Sequence, residues 1–341
     1  MGAHELHEIA RSIVADNKGI LAADESTGTI KKRFDSIGLE STEENRRRYR
    51  NMLFTTPGFE EYIGGVILYD ETIRQRADDG TSFADLLTSK GVVPGIKVDT
   101  GAKPLAGRPG ETVTEGLDGL RERCEEYRAL GARFAKWRAV ITIGDGIPTD
   151  ACIEANGHAL ARYGAICQEQ GLVPIVEPEV LMDADNTIEL CYEVTARTLQ
   201  ATYGELFRAA VDLEGTLLKP NMVIAGKGCS TQAGASQIAS LTIDCFRCVV
   251  PSAVPGIVFL SGGQTEVQAT ENLNAINRVE GSPWPLSFSY GRALQASTLK
   301  AWGGDPANVD AGQAVFLHRS RMNSQAVAGE WSAEMEEMAT A

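Results

Sequence analysis

Val173-Pro-Ile-Val-Glu-Pro-Glu179 is an apolar, β-branched run that closes on two carboxylates. Its length and residue types suit a strand buried on both faces. Charge is rarely found in such a strand, because burying it is costly unless it is paired. Seven further runs share the design, most opening near a Gly or Pro and closing on a polar residue: Gly19-Ile-Leu-Ala-Ala-Asp24, Gly65-Val-Ile-Leu-Tyr-Asp70, Pro94-Gly-Ile-Lys-Val-Asp99, Arg133-Phe-Ala-Lys-Trp-Arg138, Thr216-Leu-Leu-Lys-Pro-Asn221, Ile257-Val-Phe-Leu-Ser-Gly-Gly263 and Leu286-Ser-Phe-Ser-Tyr-Gly-Arg292. The runs recur at intervals of roughly 30 to 45 residues, the size of a strand, a helix and their loops.

Between the runs lie helical patterns. The spacing predicts one helix over 114–130 and another over 152–170, the latter stopped by Gly171. Strands alternating with helices imply a parallel sheet, and eight such units suggest closure into a (β/α)8 TIM barrel. An open doubly wound sheet normally carries a Gly-rich turn after its first strand; here that strand runs into Asp24-Glu-Ser-Thr-Gly28 instead. No internal repeat or linker is visible, so the 341 residues read as one domain, with a mobile tail expected over about 323–341.

Composition narrows the function. The formal charge is −14 and no basic patch stands out, which disfavours a nucleic-acid partner. Arg46, Arg47, Arg48 and Arg50 follow Glu43 and Glu44 in a helical pattern and read as a solvated, ion-paired face. No apolar run is long enough for a membrane span, and the N-terminus lacks the pattern of a secretory signal, so a cytoplasmic protein is expected. Seven cysteines at irregular spacing read as reduced thiols, the Cys245/Cys248 pair included.

In a barrel, chemistry gathers at the C-terminal ends of the strands. Those ends supply Asp24, Lys97, Lys136, Arg138, Glu177, Glu179, Lys219, Ser261 and Arg292. Lysines in strand-like runs allow two readings. One is an inward salt-bridge layer, with Lys136 and Lys219 paired to Glu177 and Glu179. The other is a nucleophilic amine: a lysine beside a second cation in a dry site sheds its proton more readily, and a nearby carboxylate can shuttle protons. The Ser261-Gly-Gly263 and Ser289-Tyr-Gly-Arg292 stretches sit where this fold commonly binds phosphate, after its last two strands. A metal-dependent aldolase or isomerase needs ligands at strand ends. The four histidines, His4, His7, His158 and His318, fall elsewhere. A catalytically inert barrel used as a binding scaffold is the remaining alternative, and an inward salt-bridge layer would suit it.

The chain resembles the class I fructose-bisphosphate aldolases. The likeness covers about residues 5 to 320 and rests on long stretches in order: GILAADESTGT (19–29), TEENRR (42–47), GGVILY (64–69), GIKVDT (95–100), GLDGLR (116–121), FAKWRA (134–139), PIVEPEV (174–180), LEGTLLKPNMV (213–223), FLSGGQT (259–265) and SFSYGRALQAST (287–298). The resemblance implies reversible cleavage of fructose 1,6-bisphosphate to dihydroxyacetone phosphate and glyceraldehyde 3-phosphate through a lysine Schiff base. It implies a homotetramer and no metal or other cofactor. Matched position by position, it makes Lys219 the Schiff-base lysine and Glu177 the acid/base of imine formation, with Glu179 beside it. It places Lys136 near the scissile bond and Asp24 at the substrate's C4 hydroxyl. It assigns Ser261, Gly262, Gly263, Ser289, Gly291 and Arg292 to the phosphate nearest the imine. Arg33, Lys97 and Arg46 go to the far phosphate, with Ser26 and Thr29 nearby, and Arg138 joins the substrate-binding set. Many animal members end in a Tyr that assists proton exchange. No Tyr follows Tyr290 here, so the tail is expected to be dispensable for bond cleavage.

Overall fold

The computed structural model describes residues 2–340, the side chains of 338–340 excepted. Eight parallel strands close into a barrel. They are β1 (Gly19–Ala22), β2 (Ile63–Leu68), β3 (Val93–Lys97), β4 (Phe134–Ile141), β5 (Val173–Val180), β6 (Leu217–Leu218), β7 (Ile257–Phe259) and β8 (Leu286–Tyr290). Each pairs with its neighbours in chain order and β8 returns to β1. Every expected run contributes one strand.

Two hydrophobic layers hold the barrel. The outer one packs strands against the surrounding helices, with Trp137, Tyr163, Phe246 and Phe259 fully buried. The inner one fills the N-terminal half of the barrel with Ile20, Ile67, Phe134, Val173, Leu217 and Val258, sealed by Leu6, Ala10 and Ile13 of the helix Ala3–Ile13. Small residues make room for it. A Cβ on Gly95 would stand 2.2 Å from the Phe134 ring, and one on Gly64 only 2.3 Å from the Ile13 carbonyl oxygen. The apolar plug leaves only the C-terminal mouth open to polar chemistry.

Three expectations need correction. The helix expected over 114–130 spans only Leu120–Ala129. Residues Thr112–Glu115 pair instead with Gly101–Pro104 as an antiparallel hairpin, and Gly116 and Gly119 take φ of +127° and +64°, which a helix cannot accommodate. The arginine-rich segment is indeed helical, Glu43–Thr55, but Arg50 is buried and paired with Glu25 rather than solvated. The stretch expected as a tail from Asn323 begins inside a packed helix. Asn323 is buried within the helix Val309–Val327, accepts a hydrogen bond from Thr270 Oγ1 at 2.9 Å and donates to the Arg319 carbonyl. Beyond it, buried Trp331 donates through its backbone N–H to Asn274, and through Nε1 to Glu336, which is ion-paired with Arg319. The last expected tail residue, Ala341, lies outside the described residues.

All seven cysteines are free thiols; Cys245 is buried, whereas Cys248 is exposed.

Candidate active site

Register brings the charged strand ends together. β3 and β4 align Lys97 with Lys136, and β4 and β5 align Arg138 with Glu177 and Val140 with Glu179. Lys219 follows directly on β6, its N–H bonded to the Val176 carbonyl at 2.8 Å. Asn221, a residue sequence reasoning passed over, braces this corner. Its side chain accepts from Val180 N and donates to Thr195 Oγ1, both at 3.0 Å.

The result is a cavity of about 230 Å³ in the barrel mouth. Asp24, Arg33, Lys97, Lys136, Arg138, Glu177, Glu179, Lys219, Ser261, Gly262, Ser289, Gly291 and Arg292 all line it, as do Ser26 and Thr29. Arg46 does not: its guanidinium forks onto Glu71 and the Ser41 carbonyl. Gly263 sits just behind Gly262 in the left-handed region, φ +79°, packed on Met182. The histidines pair with Glu8, Asp212, Glu205 and Glu336, and none lines the cavity.

Glu177 is the hub. Its Oε1 lies 3.2 Å from Lys219 Nζ and its Oε2 3.1 Å from Lys136 Nζ. The second contact is an ion pair without hydrogen-bond alignment, so Oε2 keeps an unused acceptor site. Lys136 donates instead to Asp24 Oδ2 at 2.9 Å. All four side chains are nearly inaccessible, at 3% to 11% exposure. Burial opposes the charge on Asp24, but Lys136, Lys219 and Lys97 outweigh it and hold the carboxyl well below the usual range. Glu177 is lowered in the same way, burial being overcome by Lys136, Lys219 and Arg138. Burial likewise opposes the Lys136 ammonium, yet Asp24, Glu177 and Asp99 keep it protonated beyond the usual lysine range. Lys97 is held by Asp99 at 2.6 Å, and Glu179 is taken up by Arg138 rather than by a lysine.

The opposite wall is rich in small residues and donors. Gly262 lets its loop close on Glu179, since a Cβ there would stand 2.8 Å from Leu260 Cδ1 and 3.1 Å from Glu179 Oε1. Ser289 Oγ is buried with no hydrogen-bond partner among the described residues. Gly291 and Arg292 open the helix Arg292–Trp302, whose first N–H groups lack helical partners. Arg33, expected with the far phosphate, reaches this turn instead, its Nη2 3.5 Å from where a Gly291 Cβ would lie. The sequence reading omitted Glu25, which lines the cavity and is gripped by Arg33 and Arg50. Its neighbour Asp24 had already accounted for a carboxylate there.

Two buried lysines sharing a carboxylate, opposite a donor-rich turn at the mouth of a (β/α)8 barrel, suit a lyase of the amine-nucleophile kind acting on phosphorylated carbonyl compounds. Comparison with known proteins agrees. The family model for class-I fructose-bisphosphate aldolase matches residues 5–341. A probable class 1 fructose-bisphosphate aldolase of Xanthomonas campestris is 58% identical over 97% of this chain and 99% of its own. The cytosolic fructose-bisphosphate aldolase 4 of Arabidopsis thaliana is 55% identical over 96% of this chain and 83% of its own. A solved structure of the Plasmodium falciparum fructose-bisphosphate aldolase, in complex with TRAP and a small-molecule inhibitor, superposes with a TM-score of 0.96 at 49% identity, covering 97% of this chain and 96% of that one. The chain belongs to the class-I fructose-bisphosphate aldolase family and cleaves fructose 1,6-bisphosphate reversibly to dihydroxyacetone phosphate and glyceraldehyde 3-phosphate. Among the described residues, no helix is long and apolar enough to cross a membrane.

Proposed function

We propose that Lys219 carries the covalent step and that Glu177 moves its proton. The observation that carries this reading is the 3.2 Å contact between Lys219 Nζ and Glu177 Oε1. A proton passed across it leaves a neutral amine and a neutral acid together. The amine adds to the C2 carbonyl of the open-chain sugar, and one N–H proton ends on the former carbonyl oxygen, giving a carbinolamine. Glu177 then protonates that hydroxyl, water leaves, and the nitrogen lone pair forms the protonated imine while Glu177 returns to a carboxylate.

Cleavage follows from the same charges. Asp24, held ionised by Lys136, accepts the C4 hydroxyl proton as the C3–C4 bond breaks. The bonding pair flows into the imine, giving an enamine, and the aldehyde product departs. A proton added at C3, balancing the one Asp24 took up and passes on, and hydrolysis of the imine return Lys219 and release the ketose product. Lys136, fixed as a cation between Asp24 and Glu177, keeps both carboxylates ionised and oriented. Ser261, Gly262, Gly263, Ser289, Gly291, Arg292 and Arg33 supply N–H, hydroxyl and guanidinium donors to a phosphate, with Lys97 and Arg138 on the remaining wall. Glu179 positions Arg138. The family pattern adds a homotetramer, testable by light scattering. The cytosolic relative supports a cytoplasmic location.

Borohydride reduction in the presence of dihydroxyacetone phosphate, followed by peptide mapping, tests the reading. It should label Lys219 alone. Labelling at Lys136 or Lys97 would reassign the nucleophile.

A further inference from the structure

Glu25 is held by three donors from three elements. Arg33, on the helix Thr27–Asp35, grips one carboxylate oxygen from the cavity side. Arg50, on the helix Glu43–Thr55, grips the other from behind and does not line the cavity. Gln295, on the helix Arg292–Trp302, donates Nε2 to Glu25 Oε1 at 3.1 Å and to the Ala22 carbonyl at 2.8 Å. The Gln295 amide cannot turn over, because its oxygen accepts from Tyr49 OH at 3.1 Å and from Arg50 at 3.4 Å. Tyr49 is in turn stacked on Trp302, with ring centroids 5.3 Å apart. Exposure falls from the cavity inward: the Arg33 side chain is 21% exposed, Glu25 4% and Arg50 3%.

Two arginines on one buried carboxylate are more than neutrality needs. The surplus has a use if Arg33 must change partners. A phosphate entering against Ser289, Gly291 and Arg292 arrives at the turn that Arg33 already reaches, and competes with Glu25 for its guanidinium. With Arg33 as sole partner, its transfer would leave a buried carboxylate unpaired, which is strongly unfavourable. With Arg50 and Gln295 behind, Glu25 stays paired, oriented and hydrogen-bonded while Arg33 leaves. We infer that Arg50 and Gln295 are positioning residues for phosphate capture, acting through Glu25 to make Arg33 available to the substrate. The inference rests on the proposed role of Arg33 as a phosphate ligand and adds residues that touch no substrate.

The test is a thermodynamic cycle on the full chain with fructose 1,6-bisphosphate. Arg50→Met should raise KM about tenfold or more with kcat within roughly twofold, the pattern of lost uniform binding. Arg50→Lys, which restores the cation, should recover much of the KM. In an Arg33→Ala background, Arg50→Met should add less than about twofold, because the residue it serves is gone. If Arg50→Met fails to fold, Gln295→Leu removes the other rear anchor without deleting a charge and should show the same KM-selective loss and the same silence in the Arg33→Ala background. An unchanged KM, a loss confined to kcat, or full additivity with Arg33→Ala would overturn the inference. An Arg33→Ala enzyme with ordinary KM would instead overturn the role given to Arg33, a separate failure.

Discussion

Lys219 Nζ stands 3.2 Å from Glu177 Oε1, in a pocket where each side chain is at most 5% exposed. At that separation a single proton can serve both the deprotonation of the amine and the dehydration of the carbinolamine. Glu177→Gln preserves the shape and removes the exchange, so imine formation should slow by roughly 10²–10⁴-fold, the usual worth of a general acid/base. Single-turnover borohydride trapping measures it. Trapping at an unaltered rate would exclude Glu177 from the proton path. Lys219→Arg should abolish cleavage outright, because a guanidinium does not lose its proton at neutral pH.

The second prediction concerns pH. Lys136 is the cation common to Asp24 and Glu177, and both carboxyls lie below their ordinary values because of it and its neighbours. Lys136→Met leaves burial less opposed, so both carboxyls must rise. The acidic limb of imine trapping should move to higher pH by roughly 1–3 units, the range for loss of a close opposite charge. Stability follows the same sign. Depressed carboxyls stabilise the fold above the pH where unfolded carboxylates titrate, and that stability is lost as pH falls through their folded values. Denaturant titrations from about pH 5 downward to about pH 2 should therefore show a shallower acid loss in the variant. An acidic limb that stays in place would mean that Lys136 does not set these carboxyls.

Much of this arrangement is legible in the sequence because strands announce themselves locally. The runs within Val173–Val180 and Phe134–Ile141 read as strands from their β-branched and aromatic residues, and a Lys or Glu buried within one needs a partner. What stays hidden is whatever depends on a distant partner. Residues 114–119 fall within the apolar spacing of the helix that follows, but the ladder to Gly101–Pro104 and two left-handed glycines hold them outside it. Arg50 is indistinguishable from Arg47 by local pattern. The helix happens to turn Arg47 to Glu44 and Asp78 at the surface, and Arg50 inward to Glu25. Arg46 illustrates the converse: its motif points to the substrate, yet Glu71 has taken its fork.

Arg292 opens its helix at the cavity wall and is exposed there, without the carboxylate grip that holds Arg33. Its guanidinium is therefore free to close on a phosphate at little reorganisation. Arg292→Ala should raise KM for fructose 1,6-bisphosphate by tens-fold, on the scale of a charge-assisted pair at about 1.5–3 kcal/mol. Steady-state kinetics decide it, and an unchanged KM would remove Arg292 from the phosphate site.

The chain end separates catalysis from stability. The groups proposed to break the bond, Lys219, Glu177, Asp24 and Lys136, all line the cavity in the barrel mouth. Deleting Ser332 to Ala341 should therefore leave kcat of the folded enzyme within a few-fold, about 1 kcal/mol or less in the barrier. The deletion is not silent for the fold, however. It strips Glu336 from Arg319, whose side chain is 5% exposed, and removes the acceptor of Trp331 Nε1. Arg319 keeps Thr270 Oγ1 at 2.6 Å and the Glu266 carbonyl at 3.2 Å, so its charge is under-paired rather than orphaned. A loss of about 1–3 kcal/mol is expected, the cost of a buried charged group deprived of one hydrogen-bond partner. Glu336→Gln alone should reproduce part of it, since the amide still fills the space but no longer neutralises the guanidinium. Thermal denaturation of the truncated chain, the Glu336→Gln variant and the full chain, run beside their kcat values, distinguishes the two roles. A truncated enzyme with an unchanged Tm and lost turnover would reverse the assignment and place the segment in the catalytic cycle.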